Sequence, residues 1–169
     1  MKQMNYNNKY FKTLLAAIVL NMLSVFTAHA QPGALDSSFG VNGIATVEGF
    51  GFVRATALQP DGKIVAVGQP LDKDFIIVAR FNTDGTPDES FGHHGILHTD
   101  LYTTHQFHPA DATDVVVQPD GKIVVAGYGD YENDYGDVQV NVLVIRYNTD
   151  GSMDESFGDR GAVISDFGN

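Results

Sequence analysis

The sequence predicts an all-β protein built from repeated sheets of four short antiparallel strands. Three observations lead to this prediction. Two long segments of the chain repeat one another in the same order, short apolar runs alternate with Asp-Gly turns, and no stretch after residue 30 has the apolar spacing and caps of a helix. The 18 glycines among 169 residues are also typical of a chain with many turns.

The first 30 residues have the pattern of a secretory signal peptide. Residues 1–12 carry three lysines and no acid, residues 14–27 are mostly apolar, and Ala28-His29-Ala30 places small residues at the cleavage site. A membrane anchor is the weaker alternative, because a span needs about 20 apolar residues. We therefore expect cleavage before Gln31, no membrane span afterwards, and an exported domain at 31–169 on the cell surface or secreted.

The exported domain repeats itself. The motif QPDGKIV begins at Gln59 and again at Gln118, and VARFNTDGTPDESFG (78–92) matches VIRYNTDGSMDESFG (144–158). A third copy of the last part, LDSSFGVNGI, begins at Leu35. The repeat tails span 35–48, 87–100 and 153–167, and the blade cores span 53–92 and 112–158.

Each unit converts into four strands. In the first unit a short apolar strand ends at a Pro-Asp-Gly turn, a β-branched strand follows, a third strand is apolar on both faces, and a fourth follows the tail. The predicted strands are Ala55–Gln59, Lys63–Val67, Asp74–Asn82 and Gly95–Thr99, then Thr113–Gln118, Lys122–Ala126, Val138–Tyr147 and Gly161–Ser165. Four antiparallel strands per unit are the pattern of a β-propeller blade, here about two and a half repeats of an incomplete propeller.

The recurring LDxSFGxxGI, QPDGKIVVAG and RFNTDG stretches resemble the delta-60 repeat family, from Leu35 to about Phe167. The resemblance implies a β-propeller-like repeat protein of the secreted or surface-associated bacterial kind, and it carries over no catalytic residue. Because two units leave open sheet edges, we expect a fragment of a longer repeat protein, with self-association through those edges as the alternative.

The repeated Asp-Gly pairs are interpreted as turns. Asp bonds back to the backbone and Gly accepts a positive φ, whereas a calcium ion requires six to eight oxygens that these turns do not supply. The pairs are Asp61-Gly62, Asp84-Gly85, Asp120-Gly121 and Asp150-Gly151.

Arg80 and Arg146 stand at equivalent places in the most apolar strand of each unit. Because an unpaired buried charge is costly, each is expected to reach a carboxylate or a turn carbonyl of the Asp-x-Ser-Phe-Gly segment. The repeated aspartates are Asp36, Asp88 and Asp154. The phenylalanines Phe39, Phe91 and Phe157 are expected to fill the space between neighbouring blades.

An acidic insertion interrupts the second unit and is the first place to look for a ligand. Its three tyrosines and one asparagine are predicted to form a loop that contacts a ligand, namely Tyr128, Tyr131, Asn133 and Tyr135. Its carboxylates, Asp130, Glu132, Asp134 and Asp137, are candidates for weak calcium binding, although the spacing does not follow a calcium-loop motif. The histidines between His93 and His108 do not recur in the other copies, so no metal site is assigned to them.

The amino-acid composition excludes some classes of function. A net charge of −11 argues against nucleic-acid binding, and the lack of Cys excludes thiol chemistry. The serine in each Ser-Phe-Gly has no repeated His beside it, so it is interpreted as a turn residue and not as a nucleophile. We therefore expect that the chain is not an enzyme. We expect a non-catalytic module without cofactor that binds a protein or a glycan at the surface or outside the cell. The alternatives are a calcium-stabilised adhesion protein and a part of a propeller-fold glycan hydrolase or lyase.

Overall fold

A computed structural model describes residues 33–71, 75–101, 107–132 and 138–165. These residues form two sheets of four antiparallel strands, in the orders β1-β2-β3-β4 and β5-β6-β7-β8, which confirms the predicted fold class. The strands are β1 (Phe52–Leu58), β2 (Ile64–Gln69), β3 (Ile76–Phe81), β4 (Ile96–Thr99), β5 (His108–Val117), β6 (Ile123–Glu132), β7 (Val138–Tyr147) and β8 (Ala162–Ser165). We call the first sheet blade 1 and the second blade 2.

The third strand of blade 1 shows why the sequence forms this sheet. All six residues of β3 are buried, because β2 and β4 flank it and both of its faces are covered. The preceding hairpin turns at Gly62, which has a φ of 85° and whose N–H donates to Gln59 O at 2.9 Å. Asp61 Oδ1 accepts from the Lys63 N–H at 3.1 Å. The turn at Asp120 in blade 2 repeats this hydrogen bond.

The insertion in blade 2 lengthens a hairpin. β6 and β7 remain paired from Ile123↔Tyr147 out to Glu132↔Val138. Tyr128 to Glu132, expected in a loop, are therefore strand residues, since pairing along the hairpin satisfies their backbone groups. Asn133, Asp134, Tyr135 and Asp137 lie outside the described residues, as does the predicted signal peptide at 1–30.

The two blades pack face to face over one hydrophobic core. Each blade has two faces, which we call rear and front. The rear face of blade 1 is the one that contacts blade 2. The rear face of blade 2 is formed by the residues that correspond to it in the repeat. The core joins the rear of blade 1 to the front of blade 2. Its central residues are Val65, Val67, Ile76, Val78, Phe91, Ile123, Val125, Leu143, Ile145 and Tyr147.

The front face of blade 1 is covered by the segment 35–50. Ala45, Val47 and Phe50 pack against a small cluster formed by Ala66, Ala79 and Phe81. A groove of about 480 Å³ remains between this segment and the sheet. By the repeat, the segment corresponds to the tail and outer strand of a preceding blade. Within the described ranges no helix is long and apolar enough to cross a bilayer.

Candidate interaction site

The Asp-Glu-Ser-Phe-Gly segment that follows β3, residues 88–92, is organised around one carboxylate. Asp88 Oδ2 accepts from Arg80 Nε at 2.6 Å and from Lys63 Nζ at 2.7 Å. Asp88 Oδ1 accepts from the N–H and the hydroxyl of Ser90 at 3.1 and 2.7 Å. Burial would raise the pKa of Asp88, but hydrogen bonds from Lys63, Ser90 and Arg80 outweigh it and hold this pKa far below its usual range.

Blade 2 repeats the same arrangement in residues 154–158. Asp154 Oδ2 accepts from Arg146 Nε at 2.6 Å and from Lys122 Nζ at 2.7 Å, and Oδ1 accepts from the Ser156 hydroxyl at 2.7 Å. The hydrogen bonds from Lys122 and Ser156 are the main reasons that the pKa of Asp154 is also strongly lowered. Of the two partners expected for the arginines, a carboxylate or a turn carbonyl of this segment, the structure shows the carboxylate in both blades.

Residues 88–92 also join blade 1 to blade 2. We call this segment a knob and the Asn-Thr-Asp-Gly turn at 148–151, on which it lies, a socket. Arg80 Nη1 donates to Thr149 O at 2.5 Å, and the Gly92 N–H donates to Asp150 O at 3.2 Å. Phe91 is fully buried, with the Arg80 guanidinium 4.5 Å above its ring. Arg80 therefore binds both Asp88 in its own blade and Thr149 O in blade 2.

The socket needs its glycine for a physical reason. Gly151 has a φ of 93°, and a Cβ placed on it would lie 3.0 Å from the Phe91 ring. Any larger residue would therefore be strained in its backbone and would press on the knob. The Asp-Gly turn signal is thus explained by the docking of a phenylalanine as well as by turn geometry.

A second knob–socket pair lies at the front of blade 1. The N-terminal knob, Asp36 to Gly40, rests on the socket at 82–85, where the Gly40 N–H donates to Asp84 O at 2.7 Å. A Cβ on Gly85 would lie 3.0 Å from the Phe39 ring. The residue eight positions before Asp36 is Ala28 in place of an arginine, so this knob has no guanidinium to offer.

The third knob, 154–158, has the same internal contacts and no socket among the described residues. The Arg146 guanidinium lies 4.6 Å above the Phe157 ring. Its side chain is 21% exposed where that of Arg80 is 7% exposed. Phe157 is partly exposed, and within the described ranges neither Arg146 Nη1 nor the Gly158 N–H has the carbonyl partner found in the second knob.

An apolar strip runs beside this third knob on the rear face of blade 2. Val140 is 68% exposed and Val116 54% exposed. The other partly exposed members are Tyr128, Val142 and Val163. The residue of blade 1 equivalent to Val142 is Ile76, which lies in the core against blade 2, and the equivalents of Val116 and Val163, Ala57 and Leu97, pack against that core. Tyr128 of the predicted ligand loop is thus part of this strip, while Tyr131 and Glu132 lie further along β6.

The turn aspartates are occupied within their own turns. The side-chain and backbone hydrogen bonds of Thr86 lower the pKa of Asp84, and those of Ser152 lower the pKa of Asp150. Among the described residues no three His, Asp or Glu side chains lie close enough to hold a metal ion. Asp130 lies on β6, where it pairs with Val140.

Sequence reasoning missed four contacts of this region. Lys63 and Lys122 are the second cation on each aspartate, and their recurrence in both QPDGK motifs was a usable signal. Arg54 binds Asp111 across the blades at 2.8 Å, and the Thr99 hydroxyl lies 2.7 Å from the Tyr147 hydroxyl. Neither of these inter-blade contacts is repeated, so no pattern in the chain indicated them.

Two segments of the chain, residues 59–91 and 118–157, match the domain family described as "Domain of unknown function (DUF5122) beta-propeller". Each match begins at the Gln of a QPDGK motif and ends at the phenylalanine of a knob. No curated protein and no solved structure matches the chain significantly. The chain therefore carries β-propeller repeats, in agreement with its two four-stranded blades.

Proposed function

We propose that this chain is an exported, non-catalytic module of delta-60-like propeller blades, which binds a macromolecular partner at the bacterial surface or outside the cell. The observation that carries the proposal is the rear face of blade 2. A contiguous apolar strip with a preformed knob beside it is typical of a surface that another macromolecule covers.

The state of the carboxylates supports a non-catalytic role. The aspartates of the second and third knobs are ion-paired and hydrogen-bonded, and their pKa values are lowered. A glycan hydrolase requires a carboxylic acid with a raised pKa to protonate the leaving group. The shifts run in the opposite direction, so these repeated residues are suited to joining blades and unsuited to proton transfer.

Export is supported by the leader. A basic head, a short apolar run and an Ala-His-Ala end are the features that a signal peptidase recognises. Expression of the full chain in a bacterial host with a C-terminal tag should give an exported product whose N-terminus is Gln31. An intact N-terminus retained inside the cells would contradict the export part of the proposal.

Binding is tested with the labelled chain from Gln31 and washed cells of the producing organism. We expect the cells to retain the wild-type chain, and Val142→Glu to reduce retention because it places a charge in the middle of the apolar strip. Leu71→Glu is the matched control, since Leu71 is equally apolar, 76% exposed and outside the strip. Equal retention of the wild type and the Val142 variant would overturn the binding part of the proposal.

A calcium-stabilised adhesion protein is the second candidate, favoured by the four carboxylates between Asp130 and Asp137. Calcium that binds only the folded chain must raise its melting temperature. We expect no shift at millimolar calcium, with magnesium as the control cation. A rise with calcium alone, abolished by Asp134→Asn, would instead establish this candidate.

A further inference from the structure

We propose that the partner of the third knob is a second copy of this chain. Residues 154–158 of one copy would dock on the socket at 82–85 of the next and displace that copy's own segment 35–50. This inference rests on the proposed function and names the partner of its binding face.

Sequence identity between the free and the docked parts is the first argument. The third knob, Asp-Glu-Ser-Phe-Gly at 154–158, is identical to the second knob at 88–92. The socket at 82–85, Asn-Thr-Asp-Gly, is identical to the socket at 148–151. The structure shows the second knob docked on the latter socket. Each chain therefore carries both halves of a second such contact, at opposite ends of the blade pair.

The donors of the third knob supply the second argument. Arg146 Nη1 and the Gly158 N–H lack, among the described residues, the carbonyl partners that their counterparts have in Thr149 and Asp150. Docking on the socket at 82–85 would give them Thr83 O and Asp84 O. It would also cover Phe157 with Gly85, as Gly151 covers Phe91.

The front face of blade 1 has room for this partner. Thr56, Ala66 and Ala79 stand where blade 2 has Val115, Val125 and Ile145. The small side chains of Thr56 and Ala66 form part of the sheet side of the groove of about 480 Å³, whose other side is segment 35–50, the segment that the partner would replace. The groove is apolar, with Ile64 and Phe81 in its wall. An apolar strip from the rear of blade 2 would therefore meet an apolar surface, as it does between the two blades of one chain.

The N-terminal knob is the weaker competitor for the socket at 82–85. It contributes the Gly40–Asp84 hydrogen bond and the ring of Phe39, but no arginine. The third knob adds a guanidinium and a complete sheet face. Segment 35–50 thus acts as a replaceable cover of the front face of blade 1.

The resulting contact is head-to-tail, so it continues from copy to copy until a ring closes. Two, three or four copies would bring together about four, six or eight blades, which is the range of closed propellers. Because the blades of each copy already pack front to rear, the new interface continues the geometry of the existing one.

Light scattering after size-exclusion chromatography tests the proposal on the chain from Gln31, which contains the compact unit 35–169. We expect the mass of the wild type to rise with concentration. Phe157→Ala should abolish this rise, whereas the same substitution at Phe39 should lower the concentration needed by about tenfold. The double variant should behave as a monomer. Arg146→Lys keeps a positive charge beside Asp154 but removes the Nη1 donor that would bind Thr83 O. This variant should therefore assemble more weakly.

Three results would overturn the proposal: a wild type and a Phe39→Ala variant that both remain monomeric, assembly unaffected by Phe157→Ala, or Phe39→Ala assembly that persists in the double variant. If assembly fails while retention on cells still depends on Val142, the binding module stands and its partner is a different molecule. If both fail, the proposed function falls as well.

Discussion

The second and third knobs have one sequence in two environments. Residues 88–92 and 154–158 are identical, and each aspartate binds its arginine, lysine and serine at nearly the same distances. Yet Phe91 is fully buried between blades and Phe157 is partly exposed. The knob is therefore formed by its own blade before any docking. Matched substitutions in the two knobs separate the stability of the knob from that of the inter-blade contact.

Substitution of the two phenylalanines should give the largest difference. Phe91→Ala removes a fully buried ring and leaves a cavity between the blades, so the free energy of unfolding should fall by about 3–5 kcal/mol. Phe157→Ala in the monomer removes a ring that contacts Arg146 and no second blade, so we expect a loss of about 1 kcal/mol or less. Urea unfolding monitored by circular dichroism at low protein concentration measures both.

Leu58→Ala, which removes an exposed side chain, is the control for general effects of truncation. Equal losses at Phe91 and Phe157 would contradict the assignment of Phe91 to the inter-blade core. A large loss at Phe157 alone would mean that the monomer buries this ring in a way that the described residues do not show.

Substitution of the two knob aspartates should also destabilise the second knob more than the third. Asp88→Asn leaves the buried guanidinium of Arg80 without its carboxylate, at a cost of about 3 kcal/mol. Asp154→Asn should cost less, because water reaches the more exposed Arg146 side chain. The comparison is again made by urea unfolding, with Asp120→Asn in an exposed turn as control. A greater loss at Asp154 than at Asp88 would refute it.

Acid should weaken the protein through the same two carboxylates. The pKa values of Asp88 and Asp154 are lowered in the folded state relative to the ordinary 3.8, so folding favours their ionised forms. Their contribution is fully present well above pH 3.8 and is lost as the pH falls through this value toward the lower pKa of the folded state.

We expect the free energy of unfolding to fall between about pH 4.5 and pH 2, and to fall less steeply in Asp88→Asn, which lacks one of these groups. Thermal melts across this range, at constant ionic strength, measure the slopes. A variant slope as steep as that of the wild type would show that Asp88 does not contribute through its ionisation.

The sequence predicted the blades well because repetition and turn chemistry are local signals. β7 lies at the predicted Val138–Tyr147, and β2, β4 and β8 differ from prediction by at most two residues at either end. β1, β5 and β6 extend further than expected, because strand pairing continues past the residues that carry a β-forming pattern.

The candidate site was harder to predict because its contacts cross between blades. The sequence led us to expect that Arg80 would reach a carboxylate or a turn carbonyl of the tail, and the structure gives it the carboxylate of Asp88, eight residues away, as it gives Arg146 that of Asp154. The second partner of Arg80, Thr149 O, is 69 residues away in the chain. That contact depends on how one blade packs on the next, which no local pattern of residues encodes.

The smallest effect concerns the turn just after each knob. Asn42, His94 and Arg160 occupy equivalent positions with φ values of 55°, 54° and 47°. Asn tolerates this left-handed conformation better than His or Arg does. His94→Asn and Arg160→Asn should therefore each stabilise the chain by a few tenths to about 1 kcal/mol.

The increase in stability should be the same for His94→Asn and Arg160→Asn. Equal values would show that the inter-blade contact does not reach the turn at His94. His94 and Arg160 lie outside the knobs, and their side-chain contacts with Glu89 and Asp159 are exposed and contribute little. Paired melting curves give the two values, with Asn42→Ala as the reverse control that should destabilise. A gain confined to Arg160→Asn would mean that docking on blade 2 already supports the strained turn at His94, and that the contact is broader than the knob and its socket.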